Sequence, residues 1–166
     1  MKLIRVVKLG KPCGDIATGL SGQMTHWIIG MSHSVAYLFQ PRGLNPKDGQ
    51  PVEKIHLDSG RVKADDGDWE EVEVPVDILG TQVTDKASGF SGMATALIMH
   101  STGCFHVQIQ PSGVIQETNS PIERRDFALV QCEGEAIPKL DEKEEKRKRP
   151  SPDGSGLGSP FSRDAR

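Results

Sequence analysis

The feature that most constrains this chain is that it contains itself twice. Shifted by 70 residues, Leu9–Gly43 lies over Leu79–Gly113 without a gap. Twelve of the 35 aligned positions are identical: Leu9/Leu79, Gly10/Gly80, Asp15/Asp85, Ala17/Ala87, Gly19/Gly89, Ser21/Ser91, Gly22/Gly92, Thr25/Thr95, Ile28/Ile98, Gln40/Gln110, Pro41/Pro111 and Gly43/Gly113. An ungapped register of that density is an internal duplication, and a duplication dictates two units of one topology. The densest match is Asp15–Thr25 against Asp85–Thr95.

With 166 residues for two copies, each unit is about the size at which a core becomes thin, so the copies should lean on each other or on other subunits. Eighteen Gly and 11 Pro point to short strands joined by tight turns. Ile4–Leu9 alternates roughly, and Val72, Val74, Val76 and Ile78 keep a period of two. Both read as half-buried strands, the second at an edge or bulge because Pro75 cannot donate a ladder bond. Gln23–Ile29 and Met93–Met99 are expected as strands, returning through 34–40 and 104–110, where Pro41 and Pro111 stop them. Val52–Leu57 and Ile122–Val130 close the units. Four or five strands per copy predict an all-β protein of two tandem small SH3-like barrels, at 1–64 and 72–138. An acidic junction at 65–71 separates them, and a disordered tail follows at 139–166.

Within the shared motif, Gly19, Gly22, Gly89 and Gly92 call for positive φ or close chain approach. Leu20 and Phe90 are expected to plug the core from the turn, beside Asp15 and Asp85. A phosphate cradle on these amides would need a helix start or nearby basic residues, and neither is evident. His26, Trp27, Tyr37 and Phe39 read as core or copy-to-copy contacts. His100, Cys104 and His106, within seven residues, are the candidate ligand or metal group. A structural zinc site wants four ligands, however, and the first copy has Gly30, Ser34 and Ala36 there. A Cys–His nucleophile lacks any indicated orienting group or oxyanion hole. No catalytic residue, metal or cofactor is therefore assigned. The three cysteines, unshared between copies, are expected as free thiols.

Net charge is −3, but residues 1–138 hold 12 Lys+Arg against 17 Asp+Glu, and 139–166 hold 8 against 6. An acidic body argues against a nucleic-acid-binding face. Lys146–Arg149 could be an import or nucleic-acid tag, although a solubilising tail is the plainer reading of one short basic run. No stretch has the length of a membrane-spanning helix and no signal pattern appears, which leads to the expectation of a soluble cytoplasmic protein.

The pattern Gly-x-x-x-x-Asp-x-x-(Ser/Thr)-Gly-(Phe/Leu)-x-Gly-x-x-Thr, followed by Gly-Cys and then a Gln-x-x-Pro-like element, resembles small uncharacterised proteins of bacteriophages and prophages. The second copy keeps it best, with Asp85, Ser88, Gly89, Phe90, Gly92, Thr95, Gly103, Cys104 and Pro111. The first lacks the Gly-Cys pair. The resemblance covers most of residues 4–130 and implies single SH3-like barrels of one copy's length. It transfers no activity. The expected function is a non-enzymatic phage structural or assembly protein, of virion accessory or decoration type. Its partners would be other phage proteins or copies of itself, in the host cytoplasm or the virion. The alternatives are a sequestering protein that binds a small molecule or nucleotide, and a nucleic-acid accessory factor acting through the basic tail.

Overall fold

The computed structural model describes residues 1–137. The tail expected to be disordered, with Lys146–Arg149, lies outside the described residues. The protein is all-β, as its turn-rich composition predicts. Fourteen strands follow in order: β1 (Lys2–Val7), β2 (Pro12–Asp15), β3 (Ser21–Gly30), β4 (Val35–Pro41), β5 (Ile55–Asp58), β6 (Val62–Lys63), β7 (Trp69–Val74), β8 (Gln82–Asp85), β9 (Ser91–His100), β10 (Phe105–Gln110), β11 (Val114–Ile115), β12 (Ser120–Pro121), β13 (Arg125–Ala128) and β14 (Cys132–Gly134). Single 3₁₀ turns lie at Ser59–Arg61, Asp66–Asp68, Val76–Ile78 and Leu129–Gln131. No helix among the described residues is long and apolar enough to cross a membrane.

The first copy pairs in the order β6-β2-β3-β4-β5, and the second repeats it as β14-β8-β9-β10-β13. The equivalence runs beyond the identical stretch: Asp15 pairs Val62 as Asp85 pairs Cys132, each 70 residues on. In each copy the last two strands are linked by a 3₁₀ turn, with no ladder between them. The ladders draw one ten-stranded sheet that runs through both copies, because β3 pairs antiparallel with β9.

That seam has a symmetry the repeat explains. Ile28 pairs Ile98, its own equivalent, and Trp27↔Met99 mirrors Ile29↔Leu97. A second antiparallel ribbon, β1 with β7, includes Leu3↔Glu73, again a pair 70 residues apart, near one end of its ladder. Antiparallel pairing of equivalent residues is what a two-fold axis between copies produces. Both pairings share that one pseudo-dyad. The 65–71 segment is accordingly more than a junction, since Trp69 to Glu71 begin β7. The strand expected through Ile78 ends at Val74, and Pro75 caps the 3₁₀ turn that buries Val76 and Ile78.

Apolar side chains from both copies form one cluster, including Val6, Trp27, Tyr37, Phe39, Leu57, Leu97, Val107 and Ile109. Trp27 meets Phe105 edge-on across the seam at 5.6 Å between ring centres. The Val7 amide donates to the Tyr37 hydroxyl at 3.1 Å, tying β1 to the first copy's core. Burying each large aromatic is worth about 2–3 kcal/mol, so the seam is part of what holds the fold.

The shared identities now have jobs. Gly10 and Gly80 take φ of 78° and 82° and donate their amides to Met24 and Ala94. Gly19 and Gly89 take 74° and 73° at the β2–β3 and β8–β9 turns. Gly22 and Gly92 have ordinary φ and serve close approach instead: a Cβ there would run into the Gln40 or Gln110 carbonyl. Gln40 Nε2 donates to the carbonyls of Pro41 and Val52 at 3.2 and 2.6 Å, and Gln110 does the same to Pro111 and Ile122 at 3.2 and 2.7 Å.

Candidate functional site

Duplicated copies diverge freely where nothing constrains them, so places where equivalent positions carry different chemistry are where a site should be sought. Three such differences stand out: the turn carboxylate, the groove beside it, and the outer face of the seam.

Asp15 and Asp85 end β2 and β8 and are each 2% exposed. Each folds back on the turn it starts. Thr18 Oγ1 donates to Asp15 Oδ2 at 2.6 Å. Ser88 donates to Asp85 Oδ2 through its amide at 2.8 Å and its hydroxyl at 2.5 Å. Gly19 and Gly89 donate their amides to the Asp15 and Asp85 carbonyls, both at 2.8 Å. Asp15 Oδ1 also accepts the Ala17 amide at 3.1 Å, and the copies differ most in what else reaches the carboxylate. In the first copy Arg61 grips the carboxylate with two bonds, Nε to Oδ1 at 3.0 Å and an Nη to Oδ2 at 2.6 Å. Those bonds to Arg61, then the Thr18 hydroxyl, pull the Asp15 carboxyl down to about 2. In the second copy Gln131 stands at the Arg61 position, and Asp85 Oδ1 has no hydrogen-bond partner among the described residues. The Ser88 bonds still hold the Asp85 carboxyl below its usual range, so it is ionised at neutral pH.

The Asp85 turn forms one wall of an open groove of about 700 Å³. Ser88, Gly89 and Phe90 face β13, with Ile115 and Ile122 at the end and Glu123, Arg125 and Asp126 on the rim. Phe90 is half-buried against Phe127, ring centres 5.3 Å apart. Its partner in the repeat does not plug the core: Leu20 is 41% exposed. First-copy residues at these positions are Leu20, Asn45, Val52 and Leu57, without the two rings. β13 ends the sheet, so its outer edge carries no ladder among the described residues.

The third difference is a histidine group on the outer face of the seam. His100 and His106, the sequence candidates, do come together, with ring centres 4.2 Å apart. His26 joins them: its Nε2 lies 2.8 Å from His100 Nδ1. Trp27, Tyr37 and Phe39 are core as expected, but His26 points to the opposite face, which the two-residue alternation of β3 requires. One proton assignment satisfies the contacts. Thr25 Oγ1 donates to the Leu38 carbonyl at 3.1 Å, His26 Nδ1–H donates to Thr25 Oγ1 at 2.8 Å, and His100 donates to His26 Nε2. Burial first, then the neighbouring cations His100, Lys54 and His106, lowers the His26 pKa. Burial and then His106 lower that of His100, against the pull of Asp126. Repeat-equivalent positions hold Ala96, Gly30 and Ala36, so the group exists on one side of the dyad only. Cys104 sits in the β9–β10 turn with its carbonyl accepting the His100 amide at 3.3 Å. No three His, Cys, Asp or Glu side chains among the described residues are arranged to hold a metal ion.

Cys13 and Cys132 are buried, and burial raises both thiol pKa values. Cys104 is exposed and all three are free. His26, expected as core or a copy-to-copy contact, does meet the other copy, but its grouping with His100 and His106 escaped the sequence reading because His100 lies 74 residues away and meets it only across the dyad. Arg61 escaped it too. The register that predicts its role extends past the last identical pair, and the Arg61/Gln131 mismatch was the available signal. Compared with family models, with curated proteins and with solved structures, the chain gives no significant match.

Proposed function

We propose that this chain is a non-enzymatic binding protein whose second copy docks an extended segment of another protein along β13. The observation that carries the reading is the groove between the Ser88–Phe90 turn and the sheet's last strand. Edge strands offer unpaired amides and carbonyls to an added strand. Here that edge runs beside an aromatic floor, Phe90 on Phe127, that the first copy lacks. Ile115, which lines the groove, stands 41% exposed, and its neighbour Val114 50%. The rim carboxylates Glu123 and Asp126 favour a segment carrying basic residues. The groove is open rather than enclosed, which suits a chain passing through better than a sequestered small molecule. The setting, assembly with other phage proteins in the host cytoplasm or the particle, follows from the family resemblance alone.

The test is a photo-crosslinking residue placed at Ile115 and, separately, at its first-copy equivalent Asn45, in the cell that makes the protein. The reading expects one protein crosslinked through Ile115, lost when Phe127 becomes Ser, and none through Asn45. Equal crosslinking at both positions overturns it. So does a small molecule that co-purifies and is displaced by Phe127→Ser in native mass spectrometry.

A further inference from the structure

We infer that Asp85 is the receptor for a guanidinium group that reaches it from outside the folded unit, an arginine subsite for which the first copy supplies the template. Two independent observations carry this. The first is the orphaned oxygen: Asp85 is 2% exposed, and its Oδ1 lacks a well-formed bond such as the one the Ala17 amide gives Asp15 Oδ1 at 3.1 Å, the Ala87 amide being the least of the groups that act on this carboxyl. A carboxylate held out of water with an oxygen unsatisfied is costly unless a cationic donor completes it. The second is the repeat itself. At the equivalent place Arg61 completes Asp15 with two parallel N–H···O bonds, the arrangement in which arginine recognises carboxylates.

The first copy also gives the direction of approach. The Asp15 side chain is fully covered while Arg61 remains 38% exposed, so a guanidinium enters from the surface and caps the carboxylate as it arrives. In the second copy the Leu129–Gln131 turn follows the course of Ser59–Arg61, and in both the first amide of the next strand donates back to the turn, Val62 to the Ser59 carbonyl and Cys132 to that of Leu129. Asp85 Oδ1 is covered even without an arginine, so a guanidinium reaches it only by displacing its neighbours; Gln131, exposed and with no side-chain hydrogen bond among the described residues, is not held in place by such a bond. The Gln131 carbonyl accepts the Lys86 amide at 3.0 Å, as the Arg61 carbonyl accepts the Ile16 amide at 2.8 Å, so the two turns are tied to their neighbouring strand in the same way. Lysine fits less well, because a single ammonium cannot bridge both carboxylate oxygens. The inference does not depend on the groove. An arginine could arrive from a segment lying along β13 or from any other approach.

The test uses the full-length ¹⁵N-labelled chain, titrated with N-acetyl-arginine amide and, in parallel, N-acetyl-lysine amide, followed by NMR. The expected result is saturable shifts at Lys86, Ala87, Ser88, Gly89 and Gln131, with the lysine probe weaker by at least about tenfold. Two variants locate the effect. Asp85→Asn removes the receptor. Gln131→Arg fills it from within, should melt higher than the parent, and must lose the shifts. A third, with Arg147, Arg149, Arg163 and Arg166 replaced by Gln, separates the two sources of the group: tighter probe binding there assigns the native arginine to the chain's own C-terminal segment, and unchanged binding to a partner protein. The inference is overturned if the parent shows no saturable shifts at these amides, or if Gln131→Arg binds the probe as the parent does. Failure of Asp85→Asn to fold leaves the Gln131→Arg outcome decisive.

Discussion

Replacing Gly92 by Ala adds one methyl group, and the fold has no room for it. Gly92 lies at the start of β9 where the chain passes directly over the end of β10. A Cβ there would sit 2.6 Å from the Gln110 carbonyl carbon and 2.8 Å from the Pro111 nitrogen, closer still to the Gln110 oxygen. Relaxed contacts between such atoms begin near 3.5 Å, so the strands must part by about 1 Å. The obstacle is backbone, not a side chain that can swing away. Overpacking of this kind costs about 1–3 kcal/mol. Opening the strand ends also weakens one or two ladder bonds at about 1 kcal/mol each. The expected loss is about 2–5 kcal/mol, a large part of what a domain this size has in hand. Urea unfolding followed by tryptophan fluorescence measures it. Gly30→Ala is the control: the same chemical change at the last residue of β3, at ordinary φ, with nothing within 4 Å of the new methyl. It should be neutral or stabilise by up to about 1 kcal/mol. A Gly92→Ala protein within about 0.5 kcal/mol of the parent, or a Gly30→Ala protein as damaged as Gly92→Ala, refutes the reasoning.

Other expectations follow from the charges and thiols. Asp15 has a folded pKa of about 2 against about 3.9 unfolded. The stability it contributes is complete above the unfolded value and lost as pH falls towards the folded one, so Arg61→Gln should remove part of the acid-unfolding slope between those limits. His26 and His100 have folded pKa values below their unfolded ones. Their neutral pair is stable above the unfolded value near 6.5 and loses stability as pH drops below it. His100→Gln should flatten the melting temperature between pH 7 and 5, and an unchanged slope would contradict the pairing. Under native conditions a thiol reagent should modify Cys104 at once and leave Cys13 and Cys132 protected until the chain unfolds. Rapid reaction of all three would mean that the core around β2 and β14 is not closed.

Much of the framework was legible because a duplication constrains pattern rather than detail. Gly22 and Gly92 announced a restricted backbone, and the alternation of Phe105, Val107 and Ile109 placed one face of β10 inward. β2 and β8 were not legible: Pro12–Asp15 has only one apolar side chain, Cys13, and its partners β3 and β6 are set by long-range pairing. The shared sheet was hidden for a related reason. A repeat says that two units are alike, not whether they close separately or pair through a common strand, and the Ile28/Ile98 identity acquires its meaning only at the dyad. The site shows the same limit. His100, Cys104 and His106 are close in sequence, whereas His26 and the Arg61/Gln131 contrast depend on which strand lies beside which.

The account rests on the copies being one two-fold sheet whose surfaces have diverged. The direct measurement is the set of inter-strand NOEs across β3 and β9 in the full-length protein. Contacts of Trp27 with Met99, Ile28 with Ile98 and Ile29 with Leu97, together with slowed amide exchange along both strands, are the predicted result. Absence of those contacts, with rapid exchange at the seam while each copy's own ladders stay protected, would contradict it.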